Sequence, residues 1–138
     1  MNLDIVLNKK ESIERCIKQI RQYYALPSDV PFQENFLKQD AIAINLQRMC
    51  ELCIDLANHT IKSKKLGLPK ESRESFRLLA ENNMISNELS KRLEAMVGFR
   101  NILVHGYQKL NIDIMVDVIE NRLNDALDFT NAVLKHTP

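Results

Sequence analysis

DAIAINLQRMCELCIDLANHTI, residues 40–61, decides how the chain folds. Counting Phe36 just before it, the apolar set is Phe36, Ile42, Leu46, Met49, Cys50, Cys53, Leu56 and Ile61. The steps are mostly threes and fours, the period of an α-helix. The apolar positions also spread round more of the circumference than in the flanking segments, which marks a helix enclosed by neighbours. We read a long central helix over about 35–65, with the rest of the chain packed round it.

Upstream, Leu3, Val6, Leu7, Ile13, Ile17, Ile20 and Tyr24 outline an amphipathic helix over 3–25. ALPSDVPFQEN follows, and its two prolines mark a loop. Downstream, LGLPKES is a break, with Ser72 as the candidate N-cap of a short helix over 72–82. Asn82 and Asn83 end that helix, and Ser86 is the next N-cap candidate. A fourth helix starts near 87, carries Leu89, Leu93, Met96 and Val97, and stops at Gly106. Ile112, Met115, Val116, Ile119, Leu123, Leu127 and Val133 outline a last helix over 111–135. The expected fold is all-α, a compact up-down bundle of four or five helices forming one domain over 1–138.

Composition agrees. The 138 residues hold 3 glycines, 4 prolines and no tryptophan, too few turn-formers for a sandwich or barrel. A net charge of +1 does not announce a polyanion binder, so any such site depends on local charge or on oligomerisation. The basic run Lys62, Lys64, Lys65, Lys70 and Arg73 reads as solvated helix ends or as a phosphate-binding rim. Cys16, Cys50 and Cys53 supply too few ligands for a structural zinc site. Buried thiols in a reducing compartment fit them better, and no metal or cofactor is expected. No apolar run reaches the roughly 20 residues of a membrane span, and no leader is visible at the N-terminus, so the chain reads as cytoplasmic.

The chemistry concentrates in GFRNILVHGY, residues 98–107. Arg100 and His105 are five apart, about 140° round a helix, so they are not stacked neighbours. Unwinding at Gly106 would let His105 and Tyr107 swing back beside Asn101 and Arg100, with Phe99, Ile102, Leu103 and Val104 holding the group to the core. An arginine pairs bidentately with phosphate, and a histidine moves protons near neutrality. RNA carries its own nucleophile, the 2′-OH, so a base, an acid and a cation suffice. Two copies across a two-fold axis would bring two histidines and two arginines into one cleft. The same residues also fit a helix-capping histidine and an arginine paired with a carboxylate.

Arg100-Asn101-x-x-Val104-His105-Gly106-Tyr107, late in an all-helical chain of this length, resembles the HEPN superfamily. The fuller R-N-x-x-x-H-x-Y form is similar to its HepT subgroup, as is the Asp55, Ala57, Asn58, His59 segment of the central helix. The resemblance implies the toxin of a type VII toxin–antitoxin system, a metal-independent endoribonuclease acting on RNA as a homodimer. Arg100 would stabilise the scissile phosphate, His105 would be the general acid or base, and Asn101 would support them. Tyr107 would be the residue on which a cognate minimal nucleotidyltransferase, the MntA-like antitoxin, places AMP and silences the toxin.

Asp55 lies in an apolar pattern and needs a partner; Arg100 or His105 across the bundle is the candidate, and a surface Asp55–His59 pair the alternative. A second reading of the chain is a non-catalytic helical module that binds a nucleotide or docks a nucleotidyltransferase, which the near-neutral charge suits. A third, a purely structural bundle, leaves Tyr107 and the Arg–His spacing unexplained. Surplus apolar surface on the second and fourth helices suits a dimer.

Overall fold

The computed structural model describes residues 2–138. Its helices are α1 (Leu3–Ala25), α2 (Phe36–Lys64), α3 (Ser72–Glu81), α4 (Asn87–His105), α5 (Ile112–Asp117) and α6 (Leu123–Lys135). Single 3₁₀ turns occupy Phe32–Glu34 and Tyr107–Lys109, and a π segment, Val118–Arg122, joins α5 to α6. No strand occurs among the described residues.

Side chains at the helix starts explain the boundaries. Asn2 accepts the N–H of Asp4 at 2.9 Å, and Asn35 accepts that of Lys38 at 3.1 Å. Ser86 accepts the N–H of Leu89 at 3.0 Å, as its position before an apolar repeat foretells. Pro27 holds Leu26 extended and ends α1. At the close of α2, Lys65 turns left-handed (φ 53) and Leu66 N–H reaches the Ile61 carbonyl at 3.0 Å. Asn83 (φ 60) does the same after α3, where Met84 N–H reaches Leu79 at 2.9 Å.

Two expectations need correction. Ser72 is not the cap of α3: Glu71 takes that place in extended conformation with no side-chain cap bond, and Ser72 is already helical. The Glu74 carboxylate instead receives the N–H of Lys70 at 3.2 Å, meeting an unpaired donor just outside the helix. The last helix is also not a single α-helix. Its buried stripe steps by four from Met115 to Ile119 to Leu123, which turns it by about 80° round an ideal α-helix. The π segment adds residues to the turn and brings the stripe back over the core.

α2 is the centre, packing against α1, α3, α4 and α6. Ile42, Leu46, Met49, Cys50, Cys53, Leu56, Ala57 and Ile61 are buried along it. Phe76 of α3 meets Phe129 of α6 edge to face, with ring centroids 5.3 Å apart. The three cysteines are free thiols inside this core. No helix among the described residues is long and apolar enough to cross a membrane.

Candidate functional site at the end of the fourth helix

Val97, Phe99 and Leu103 face the core and fix the rotation of α4. That rotation leaves Arg100 half-buried and Asn101 and His105 exposed. Ile102 and Val104 do not join the core as expected; they are 41% and 43% exposed, and so stand beside the polar residues on the outer arc.

Arg100 Nε donates to Asn101 Oδ1 at 3.1 Å. One of its terminal nitrogens, Nη1, lies 4.0 Å from the Glu51 carboxylate of α2, a loose contact that leaves most of the guanidinium fork unused. Its charge is felt next door: burial pushes the Cys50 thiol up to about 12, and the Arg100 guanidinium is the main influence opposing that rise.

A second arginine arrives from α3. A Cβ at Gly98 would lie 2.7 Å from Arg73 Nη2, so the glycine leaves room for that guanidinium on α4. Arg73 and Arg100 line one cavity of about 280 Å³ with Glu71, Ser72, Val97 and Asn101. Two guanidiniums on one open cavity make it receptive to an anion. Sequence spacing missed this partnership, although Arg73 closes the basic run and Gly98 is the one small residue a turn before the motif.

α4 does unwind at Gly106, whose N–H still bonds the Ile102 carbonyl at 2.8 Å. His105, the last helical residue, makes no side-chain hydrogen bond or ion pair among the described residues, and its ring is open to solvent. Tyr107 does not return to Asn101 and Arg100. The 3₁₀ turn carries it to the start of α2, where its hydroxyl donates to Asp40 Oδ1 at 2.7 Å. Burial, reinforced by that bond and by the Asp40 charge, pushes the phenol up to about 12.

Asp55 is the clear correction. Its side chain is 61% exposed and pairs with Lys9 of α1 at 3.8 Å, not with Arg100 or His105. An Asp in an apolar pattern proved to sit on the edge of α2 that α1 leaves uncovered, so it needed no buried partner. His59 makes no bond to it; its Nε2 is buried and unpaired among the described residues. Asn58 accepts the Ser75 hydroxyl at 2.6 Å and ties α2 to α3.

A sequence model of HepT-like ribonucleases matches residues 13–133. The mRNA nuclease HepT of Shewanella oneidensis is 49% identical over 130 residues, covering 94% of this chain and 96% of that protein. The tRNA nuclease HepT of Aphanizomenon flos-aquae is 25% identical over 107 residues, covering 78% and 72%. Among solved structures, the tri-AMPylated Shewanella oneidensis HEPN toxin in complex with MNT antitoxin superposes with a TM-score of 0.90 at 49% identity, covering 98% of this chain and 99% of that one. A toxin–antitoxin structure with AMP-PNP gives 0.89 at 48%, covering 96% and 98%. The chain belongs to the HepT-like ribonuclease family.

Proposed function

We propose that this chain is the ribonuclease toxin of a toxin–antitoxin pair and cuts RNA without a metal ion. The observation that carries the reading is 49% identity to an mRNA nuclease over 94% of the chain. The geometry of α4 supports it. In the reaction the 2′-OH attacks the adjacent phosphorus, the bond to the 5′-oxygen breaks, and a 2′,3′-cyclic phosphate and a 5′-hydroxyl result. Arg100 stabilises the crowded phosphate with the face of its fork that Glu51 leaves open. Asn101, bonded to Nε, holds the guanidinium plane. His105, exposed and unpaired, moves the proton. Asp55 is paired with Lys9 and touches neither Arg100 nor His105 within the protomer, so it is left out of this reading.

One protomer offers a single imidazole at this site, whereas the reaction needs both an acid and a base. A two-fold axis near α4 supplies the second. Phe36, Leu37 and Ile44 of α2 are 69%, 83% and 42% exposed, and Ile102 and Val104 within the motif are exposed as well, a large apolar surface for a monomer. Light scattering is expected to return twice the 16.0 kDa of one chain; a monomer mass overturns the dimer. The protein acts in the cytoplasm, where RNA and reducing conditions for three buried thiols coincide. An MNT antitoxin resembling that of the Shewanella oneidensis complex is its partner, and Tyr107 is the residue it modifies.

The test is incubation of the purified protein with RNA in EDTA. Fragments ending in cyclic phosphate are expected. RNA left whole, though bound, supports the docking-module reading, which the net charge of +1 favours.

A further inference from the structure

We propose that Asp40 is the base that takes the proton of the Tyr107 hydroxyl when that oxygen attacks the α-phosphorus of a nucleoside triphosphate. The inference rests on the reading of Tyr107 as the acceptor and asks what makes this phenol reactive.

The geometry is already that of a general base. Tyr107 Oη donates to Asp40 Oδ1 at 2.7 Å, across 67 residues of sequence. The 3₁₀ turn fixes the donor: Lys109 N–H bonds the Gly106 carbonyl at 2.9 Å, and Leu110 N–H bonds that of Tyr107 at 3.0 Å. The ring packs against the core while the hydroxyl stays at the surface. The acceptor has no competing cation. No Lys, Arg or His pairs with Asp40 among the described residues, and the nearby Lys38 is turned away to the carbonyls of Tyr24 and Leu26.

The chemistry requires such a group. With its titration pushed up to about 12, the Tyr107 phenol stays neutral near pH 7, and a neutral phenol is a weak nucleophile. In the proposed step the Tyr107 oxygen–phosphorus bond forms and the α–β bridging phosphorus–oxygen bond breaks. Pyrophosphate leaves, the proton passes to Asp40 and then to solvent, and nothing is oxidised or reduced. The product cannot donate to Asp40, and its phosphodiester is anionic, so the pair opens once the nucleotide is attached. Tyr24 makes the same kind of bond to Glu120 at 2.6 Å, joining α1 to the π segment, and serves as an internal control.

The experiment combines the full chain, ATP, Mg²⁺ and the MNT antitoxin of the Shewanella oneidensis complex, and follows the first added nucleotide by intact mass. Asp40→Asn is expected to slow transfer by about a hundredfold. Its rate should then rise about tenfold per pH unit between pH 7 and 9, following the phenolate fraction, while the parent changes little. Asp40→Glu, which keeps a carboxylate, is expected to recover most of the rate, and Glu120→Gln to change nothing. Parent-like rate and pH slope in Asp40→Asn overturn the role of Asp40 and leave Tyr107 as the acceptor. A parent that gains no mass, or a Tyr107→Phe variant that gains as much as the parent, overturns the acceptor itself.

Discussion

The Arg100–Tyr107 stretch and the Asp55–His59 stretch are both short polar motifs on helices that border the same core, yet their side chains end in different situations. Asp55, Asn58 and His59 are dispersed: one goes to Lys9 of α1, one to Ser75 of α3, and one is left unpaired under its neighbours. Arg100, half-buried, and Asn101 and His105, both exposed, stay at the open end of α4, and Tyr107 crosses to Asp40 at the start of α2. The cause is position. Asp55–His59 lies well inside a 29-residue helix enclosed by four others, so each residue meets whichever helix passes it. Arg100–Tyr107 lies where a helix stops, so its side chains stay open and the 3₁₀ turn carries Tyr107 across to the start of α2. A polar motif at a helix terminus can therefore stay available to a ligand or a second copy, while one in a central helix mostly fastens the bundle.

That contrast can be broken by substitution. The largest expected effect is at the helix end: Arg100→Ala and His105→Ala should each lower RNA cleavage by about 10²–10⁴-fold, with thermal melting near the parent's. Asp55→Ala, read in the same assay, should fall within about threefold of the parent, since a surface ion pair is worth about 0.2–1 kcal/mol. Comparable losses at Asp55 and His105 would erase the distinction. Next in size, Asn58→Ala strips a buried Ser75 hydroxyl of its acceptor and should cost about 1–3 kcal/mol in urea unfolding, while cleavage is kept. His59→Leu removes an unpaired buried nitrogen, so the same unfolding experiment should find it neutral or more stable by up to about 1 kcal/mol. A loss of several kcal/mol there would reveal a bond that His59 makes in the assembled protein.

The smallest effect concerns pH. The folded Tyr107 phenol is held neutral up to about 12, against 10.0 ordinarily. The folded value is the higher, so its contribution to stability is whole below pH 10 and is lost as pH rises towards 12. Ultraviolet titration of phenolate should find Asp40→Asn ionising at lower pH than the parent. The shift should be partial, because burial is the largest cause.

Much of this was legible in the sequence, for identifiable reasons. Apolar spacing located α1 and α2, with the prolines bounding the loop between them, and Ser86 marked the start of α4, because caps and prolines act on residues next to them. Ser72 misled because a serine beside a break can be the first helical residue as well as the cap. The π segment escaped because an α-period stripe and one with a π turn differ only in accumulated drift over two or three turns. At the site, Arg100, Asn101, His105 and Tyr107 were visible as a motif. Asp40, Glu51 and Arg73 were not, since each meets the motif from another helix and only tertiary packing sets that distance.

The central claim is that the end of α4, doubled by symmetry, forms one shared cleft. Mixing parent and His105→Ala protomers at equal amounts, with subunits exchanged, tests it most directly. A cleft that needs both imidazoles leaves about one quarter of the parent activity, because only dimers with two parent chains cut. Retention of about one half would mean that each protomer works alone, and would contradict the claim.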